Sequence, residues 1–414
     1  MKTFTTPGFL ALLGMLLLSQ TIQGQTVKII GQVRERTELD NRSFAPNPHL
    51  DPFHLLRSRL GGAITFNDNL GAMIELQDAR TFGASRSVLN SGAADLDLRQ
   101  GWIELRGLFD STLTVRLGRQ LLIYGNERLV GASDWGNFGQ SFDGLTAKAR
   151  LGQVTVDGIA AAIARNPASP TYTRDVILAG LWAGWKTAGK PTDPTATIQG
   201  FFLFDNPRSD STRQNRHTAG IHSAGAFSGV DYEVDGAYQF GDYYAGATKQ
   251  AIAATLVGLR VGYTMKEAMG LRLGIGMDML SGRGSDSTKY QVFNTLYATN
   301  HKFYGQMDIL DNPSPRAGFG LQDIIVQASV PTSATTKLAA DFHLFSLASN
   351  PADLGITGGT ATVGKELDIT FTAKLFDALA LQMGWSLFDG DPERLVLRGR
   401  KTVSWGFVSG TVNF

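Results

Sequence analysis

The chain has 414 residues, with 38 Lys and Arg against 37 Asp and Glu, and a formal charge of +1 argues against a dedicated nucleic-acid binder. The absence of Cys excludes a disulfide scaffold, a thiolate zinc site and a cysteine nucleophile. Hydrophobic residues at 43 % exclude a disordered chain, while charged residues at 18 % fall below the roughly 25 % of soluble domains and 48 Gly exceed the usual share of about 7 %.

Lys2 is followed by the apolar run Phe9 to Leu18, then by Ser19, Gln20, Thr21, Gln23 and Gly24. This is the layout of a secretory signal peptide over 1–24, with cleavage expected after Gly24. The run is too short to cross about 30 Å of hydrocarbon as a helix. No Cys follows it to carry a lipid anchor. Residues 25–414 are then expected to form one domain. Its best apolar run, Val176 to Trp185, is also too short for a transmembrane helix.

That domain reads as strands. Tyr232, Val234, Gly236, Tyr238 and Phe240 alternate with Asp231, Glu233, Asp235, Ala237 and Gln239. Leu271, Leu273, Ile275, Met277 and Met279 interleave with Arg272, Gly274, Gly276 and Asp278, and Leu367, Ile369 and Phe371 with Glu366, Asp368 and Thr370. A helix would need apolar residues at i, i+3 and i+4; period two puts one face apolar and the other polar. About eighteen such segments begin near Val27, Leu55, Leu70, Leu96, Leu113, Gly144, Val154, Val176, Ala196, Thr218, Tyr232, Ala251, Leu271, Ile324, Leu338, Leu367, Leu379 and Val403.

Short turns such as Asn67-Asp68-Asn69, Gly152-Gln153 and Ser228-Gly229 alternate with long joints near 80–94, 125–141 and 282–320. This spacing predicts an all-β chain, a transmembrane antiparallel barrel of about 18 strands with its long loops outside the cell. A soluble sandwich would hide its apolar face, yet here Arg, Glu, Asp and Gln recur on the other face, as a wet lumen requires. Trp102, Trp135, Trp182, Trp185, Trp385 and Trp405 lie mostly near strand ends, where interfacial girdles form, although Trp102 has the lumen parity. The chain ends on Phe414, which resembles the signal read by the barrel-assembly machinery.

The motifs that suggest chemistry fail on detail. Gly359 to Glu366 nearly matches a phosphate loop, but Glu366 stands where the magnesium-binding hydroxyl belongs and the segment runs into a strand. His217 and His222, five apart, point to opposite faces of a strand and share no metal. Asp95 and Asp97 lack a third ligand. Neither His222-Ser223 nor His343 with Ser346 makes a nucleophile pair, and no GxSxG elbow is present. The chain is read as no enzyme, with no cofactor and no metal site.

The polar face concentrates arginine in the first third. Arg34, Arg36, Arg57, Arg59, Arg106, Arg116, Lys148 and Arg150 share the lumen parity with Glu75 and Glu104. Arginine facing lipid near the midplane costs about 2–4 kcal/mol, so energetics and parity agree. Rings of Arg bias a pore toward anions, whereas Arg–Glu neighbours on adjacent strands brace a wall. Both readings stand.

Leu117 to Gly131 (LGRQLLIYGNERLVG), with Ser133-Asp134-Trp135 and Phe142-Asp143-Gly144, resembles the signature of the alginate export porins. Leu296 to Asp308 and Gly364 to Ile369 are similar to further stretches of that family. The resemblance runs from about Val27 to Phe414 and implies a monomeric barrel of eighteen strands. It also implies an Arg-rich constriction through which an anionic polysaccharide leaves a Gram-negative periplasm. Arg119, Asn126, Glu127, Arg128, Asp134, Trp135 and Asp143 form the motif cluster, read first as fixing a loop base and second as touching substrate. The expectation is a passive channel in outer-membrane lipid for an anionic polysaccharide or small anions. The alternatives are a general porin for uptake and a non-conducting, surface-binding barrel.

Overall fold

The computed structural model describes residues 25–44, 49–84, 96–164, 176–187, 195–209, 211–310, 318–349, 361–390 and 402–414. The expected leader over 1–24 lies outside them, as do residues 85–94 and 311–317 of two expected loops, Asp95, and 359 and 360 of the phosphate-loop look-alike.

Strands β1 to β6 span Thr26–Asn41, Asp51–Asn67, Leu70–Thr81, Leu96–Gly107, Leu113–Gln120 and Phe142–Leu151. Strands β7 to β12 span Val154–Ala164, Val176–Lys186, Thr195–Asp205, Thr212–Phe227, Val230–Ala245 and Thr248–Met265. Strands β13 to β18 span Leu271–Leu280, Leu321–Pro331, Thr336–Ser346, Thr362–Leu375, Leu379–Gly390 and Thr402–Asn413. Each pairs antiparallel with its sequence neighbours, and β18 returns to β1, so the sheet closes. The two-residue strand Lys289–Tyr290 is an addition that pairs in parallel with β12. Among the described residues no helix is long and apolar enough to cross a membrane.

The turns explain the alternation of short and long joints. Ser228 and Gly229, between β10 and β11, both have positive φ (49° and 85°), the primed-turn geometry whose twist suits a hairpin. Phe376 and Asp377 repeat it between β16 and β17. Apart from the two-residue turn at Gly246 between β11 and β12, the short turns share one end, the end that faces the periplasm in an outer-membrane barrel. There the seam is sealed by Gly31 and Phe414, which exchange N–H to carbonyl bonds at 2.7 and 3.0 Å.

The burial pattern is that of an inside-out protein. Ile275 is 67 % exposed on the outer wall, whereas its neighbour Asp278 is fully buried on the inner one. Leu117, Ile103, Ile324 and Leu181 are likewise exposed, while Arg57, Asp323 and Glu366 are buried. Water would reverse that order; hydrocarbon outside and a filled interior produce it. The girdle expectation needs correction for three tryptophans. Trp182 and Trp405 take the inner parity and are buried, and Trp135 lies on a loop inside the barrel; Trp185 and Trp385 do face outward.

Ile275→Arg should therefore cost about 2–4 kcal/mol, while Gln327→Arg, on the inner face beside Asp341, should cost under about 1 kcal/mol. Reversible unfolding in phospholipid vesicles measures both.

Candidate functional site

Two loops fold into the barrel, 121–141 between β5 and β6, and 281–310 on the β13 side of the joint to β14. The first crosses the lumen as an irregular strap. Its backbone carbonyls would be orphaned inside, and the arginines of β1 to β4 meet them. Arg34 Nη1 donates to the Asp134 carbonyl at 2.8 Å, and Arg57 Nη1 donates to the same carbonyl at 2.9 Å and to that of Gly136 at 3.1 Å. Arg36 Nη1 donates to the Trp135 carbonyl at 2.7 Å while its Nε holds Glu38 at 2.8 Å. Arg59 Nη1 lies 2.8 Å from the Asp134 carboxylate, and Arg57 Nη2 lies 3.1 Å from it. Gln77 adds a bond to the Phe138 carbonyl at 2.8 Å.

The strap's other end is held on the far wall. Arg128 is buried, with Nε 3.0 Å from Asp235 and Nη1 2.9 Å from Asp278. Burial would lower its pKa, but Asp278 and Asp235 overcome that and hold it above the usual arginine range. Asn126 donates to Asp235 at 2.7 Å and to Glu233 at 2.9 Å, and His222 sits 2.8 Å from the other oxygen of Asp235.

The second loop lies along the first. Tyr297 N donates to the Leu129 carbonyl, Gly131 N to that of Tyr297 and Thr299 N to that of Glu127, at 2.9 to 3.0 Å. Glu127 also takes the Thr299 hydroxyl at 2.6 Å and pairs with Lys302. Trp135 is sandwiched, with the His301 ring stacked 4.1 Å away and the Arg36 guanidinium over it at 4.1 Å. Further along, Met307 N donates to Glu366 at 2.8 Å and Gln306 N to Asp368 at 3.2 Å. Gly305 is required there: its φ is +87°, and a Cβ would meet the Glu366 carboxylate at 2.6 to 2.7 Å. Between loops and wall runs an apolar core that includes Val130, Phe293, Tyr304, Met307 and Trp405.

The candidate residues thus divide. Arg34, Arg36, Arg57 and Arg59 hold the strap, and Glu127, Arg128, Asp134 and Trp135 belong to it. Lower on the wall, Glu104 is shared by Arg106 at 2.6 Å and Arg116 at 2.5 Å, and Arg116 covers the Trp102 ring at 3.9 Å. Glu75 accepts from Gln100 at 2.8 Å. Lys148 and Arg150 stay open to the lumen. Arg119 and Asp143 are not with the others. They pair at 2.9 Å at the outer rim, on the parity of exposed Leu117.

One strap ligand departs from the expected parity. Arg99 is buried, donates to the Gln140 carbonyl at 2.7 Å and reaches Asp134 at 3.5 Å. Simple alternation from Gln100 and Trp102 puts it outside, but a register shift between Glu75 and Leu76 of β3 turns it inward. The signal was present: apolar Leu96 and Leu98 are even-numbered, Ile103 and Leu105 odd. An opposite, acidic wall also forms from Asp278, Asp323, Asp341, Glu366 and Asp368 on β13 to β16, with His343 2.8 Å from Asp323. Among the described residues no three His, Asp or Glu groups are arranged to hold a metal.

Arg57→Ala removes one of the two arginine donors at the Asp134 and Gly136 carbonyls, which Arg34 still reaches, and should cost about 0.5–1.5 kcal/mol per bond lost and raise hydrogen exchange across 131–140 before the wall is affected. Burial works against ionisation of Asp134, yet Arg57, Arg59 and Arg99 hold its carboxyl below the ordinary range; Lys302 and Thr299 do the same for Glu127. Depressed carboxyl pKa values contribute stability that is present above the unfolded value and lost as pH falls through the folded one. Strap protection, corrected for intrinsic exchange, should drop below about pH 4. Asp134→Asn should remove much of that pH dependence.

Comparison with known proteins gives the same architecture. The family model described as "Alginate export" matches residues 25–391. No curated protein matches the chain. Among solved structures, Acinetobacter baumannii OccAB1 superposes with a TM-score of 0.60 at 12 % identity, covering 96 % of this chain and 99 % of that one. Pseudomonas aeruginosa OccK11 (OpdR) gives 0.58 at 12 %, covering 94 % and 96 %. Pseudomonas aeruginosa OpdK, solved with vanillate, gives 0.58 at 13 %, covering 94 % and 98 %. At such identities the likeness is one of fold. The family match spans most of the sequence, and the chain belongs to the alginate export family of Gram-negative outer-membrane β-barrels.

Proposed function

We propose that the chain is a passive, non-enzymatic channel in which an anionic solute, foremost an anionic polysaccharide, moves along the basic wall of β1 to β6. The observation that carries this reading is the division of labour among the cations. The upper arginines are spent on the strap, whereas Arg106, Arg116, Lys148 and Arg150 remain partly or fully open to the periplasmic half of the lumen. Arg106 and Arg116 share one carboxylate, and Arg150 has no ion-pair partner among the described residues, so the group carries surplus positive charge. Hydrated cations bind anions weakly and repeatedly, as passage requires. In this reading the barrel is a monomer, matured by cleavage after Gly24, and Phe414, exposed at the seam, is its assembly signal.

The packed core between strap and wall favours a second reading, a closed barrel that serves its partners through surface loops. Single-channel recording on the refolded mature chain separates the two. Anion-selective current blocked by added polyuronate is expected, with selectivity reduced by Arg106→Ala and Lys148→Ala. Current indifferent to the polymer would leave a small-anion porin, and no current would favour the closed barrel.

A further inference from the structure

Beneath the start of the strap, the wall of β4 to β7 holds a cavity of 350 Å³ lined by Glu104, Arg116, Lys148, Asp157, Leu122 and Tyr124, among others. Its volume is at the lower end for small-molecule sites. Two carboxylates and two cations line it, so its charges balance. One half of that balance is closed: Glu104 is taken by Arg116 at 3.0 and 2.5 Å and by Arg106 at 2.6 Å.

The other half is open. Asp157 has a side chain only 9 % exposed, and its Oδ1 is buried with no hydrogen-bond partner. Native interiors rarely leave such an acceptor unmet. Its Oδ2 lies 3.4 Å from Lys148 Nζ, a long contact, and Lys148 is 52 % exposed. The Tyr124 hydroxyl faces the same carboxylate; burial, then Asp157, push its pKa up, so it stays a neutral donor. The cavity therefore offers a carboxylate met only by the Tyr124 hydroxyl and the long Lys148 contact and, beside it, one cation with N–H groups to spare. An anion would meet Lys148 but also Asp157 and Glu104. A cation would meet Asp157 but also Lys148 and Arg116.

We infer that this cavity binds a small zwitterion of the α-amino-acid class, with its ammonium on the Asp157 carboxylate and its carboxylate on Lys148. The two ligand charges sit on one carbon, which suits a pair of protein groups only 3.4 Å apart. Leu122 and its neighbours leave room for a short side chain. This inference shares Lys148 and Arg116 with the proposed anion wall, but it rests on Asp157, which that reading does not use.

The test is calorimetric titration of the full mature chain in detergent with glutamine, glucose and glucuronate as probes. Glutamine should bind more tightly than either of the others. Asp157→Asn and Lys148→Met should each weaken glutamine by about tenfold or more, the loss expected for one charge-assisted bond. Lys148 is half-exposed, so Lys148→Met keeps the barrel even if Asp157→Asn disturbs it. Absence of glutamine binding to folded wild-type chain would overturn the inference. So would glucuronate binding more tightly than glutamine and gaining affinity in Asp157→Asn, which would make the cavity a step on the anion path.

Discussion

In hydrocarbon no water can satisfy a backbone N–H or carbonyl, so a sheet that crosses a membrane must have no open edge. Closure of β18 onto β1 meets that demand here, and much of the interior is a consequence of it. Eighteen strands enclose more space than wall side chains alone can fill. The space is occupied by chain, and irregular chain brings its own unpaired carbonyls. A strap through the lumen therefore needs donors fixed on the wall. Arginine supplies several from one side chain in a rigid fork, which is why Arg34 and Arg57 can both reach the Asp134 carbonyl. The arginines near the strap have a structural reason to exist before any solute is considered.

That reason bears on how positive charge in a pore is read. A count of lumen arginines treats each as available to an anion. Arg57 and Arg99 are almost completely buried, and their N–H groups point at carbonyls and at Asp134. The cations left in contact with lumen water are fewer and lie lower, at Arg106, Arg116, Lys148 and Arg150. In the proposed channel, wall bracing and anion attraction then fall at different heights of one barrel and are not competing descriptions of the same residues.

Much of this is legible in the sequence because membrane strands obey a period of two with little tolerance. The eighteen strands and the opposite faces of His217 and His222 follow from it, and turn chemistry marks the short joints between the strands. Of these two, His222 binds Asp235 in the lumen and His217 packs among Phe202, Phe204 and Phe240 on the outer wall. Simple alternation misplaces Arg99 because one bulge inverts parity beyond it, although the apolar residues of β4 change phase at the same point. Trp135, Trp182 and Trp405 escape the girdle expectation for another reason. Proximity to a strand end says nothing of direction, and interior loops create a second apolar region that competes with the interface for large rings. The contact of Tyr297 with Val130 pairs residues remote in sequence, across a joint with no periodic signal.

The two loops are tied to each other as firmly as to the wall, and this limits how the lumen can change. Backbone bonds at Leu129, Gly131 and Thr299 join them into a short parallel ribbon, so displacement of either drags its partner. The ties at the strap's ends are charge-assisted and mostly buried, the stronger class of hydrogen bond. The far end of the second loop is held differently, by Met307 and Gln306 N–H groups on Glu366 and Asp368, and by Arg42 on the Met307 carbonyl. Those bonds are single contacts, but burial adds to them, since Tyr304 and Met307 of that turn are 1 % exposed in the apolar core. Arg57, by contrast, grips Asp134 at both its carbonyl and its carboxylate. The strap is thus held by arginine forks, the ribbon by backbone bonds, and the 304–308 turn by carboxylates and burial together.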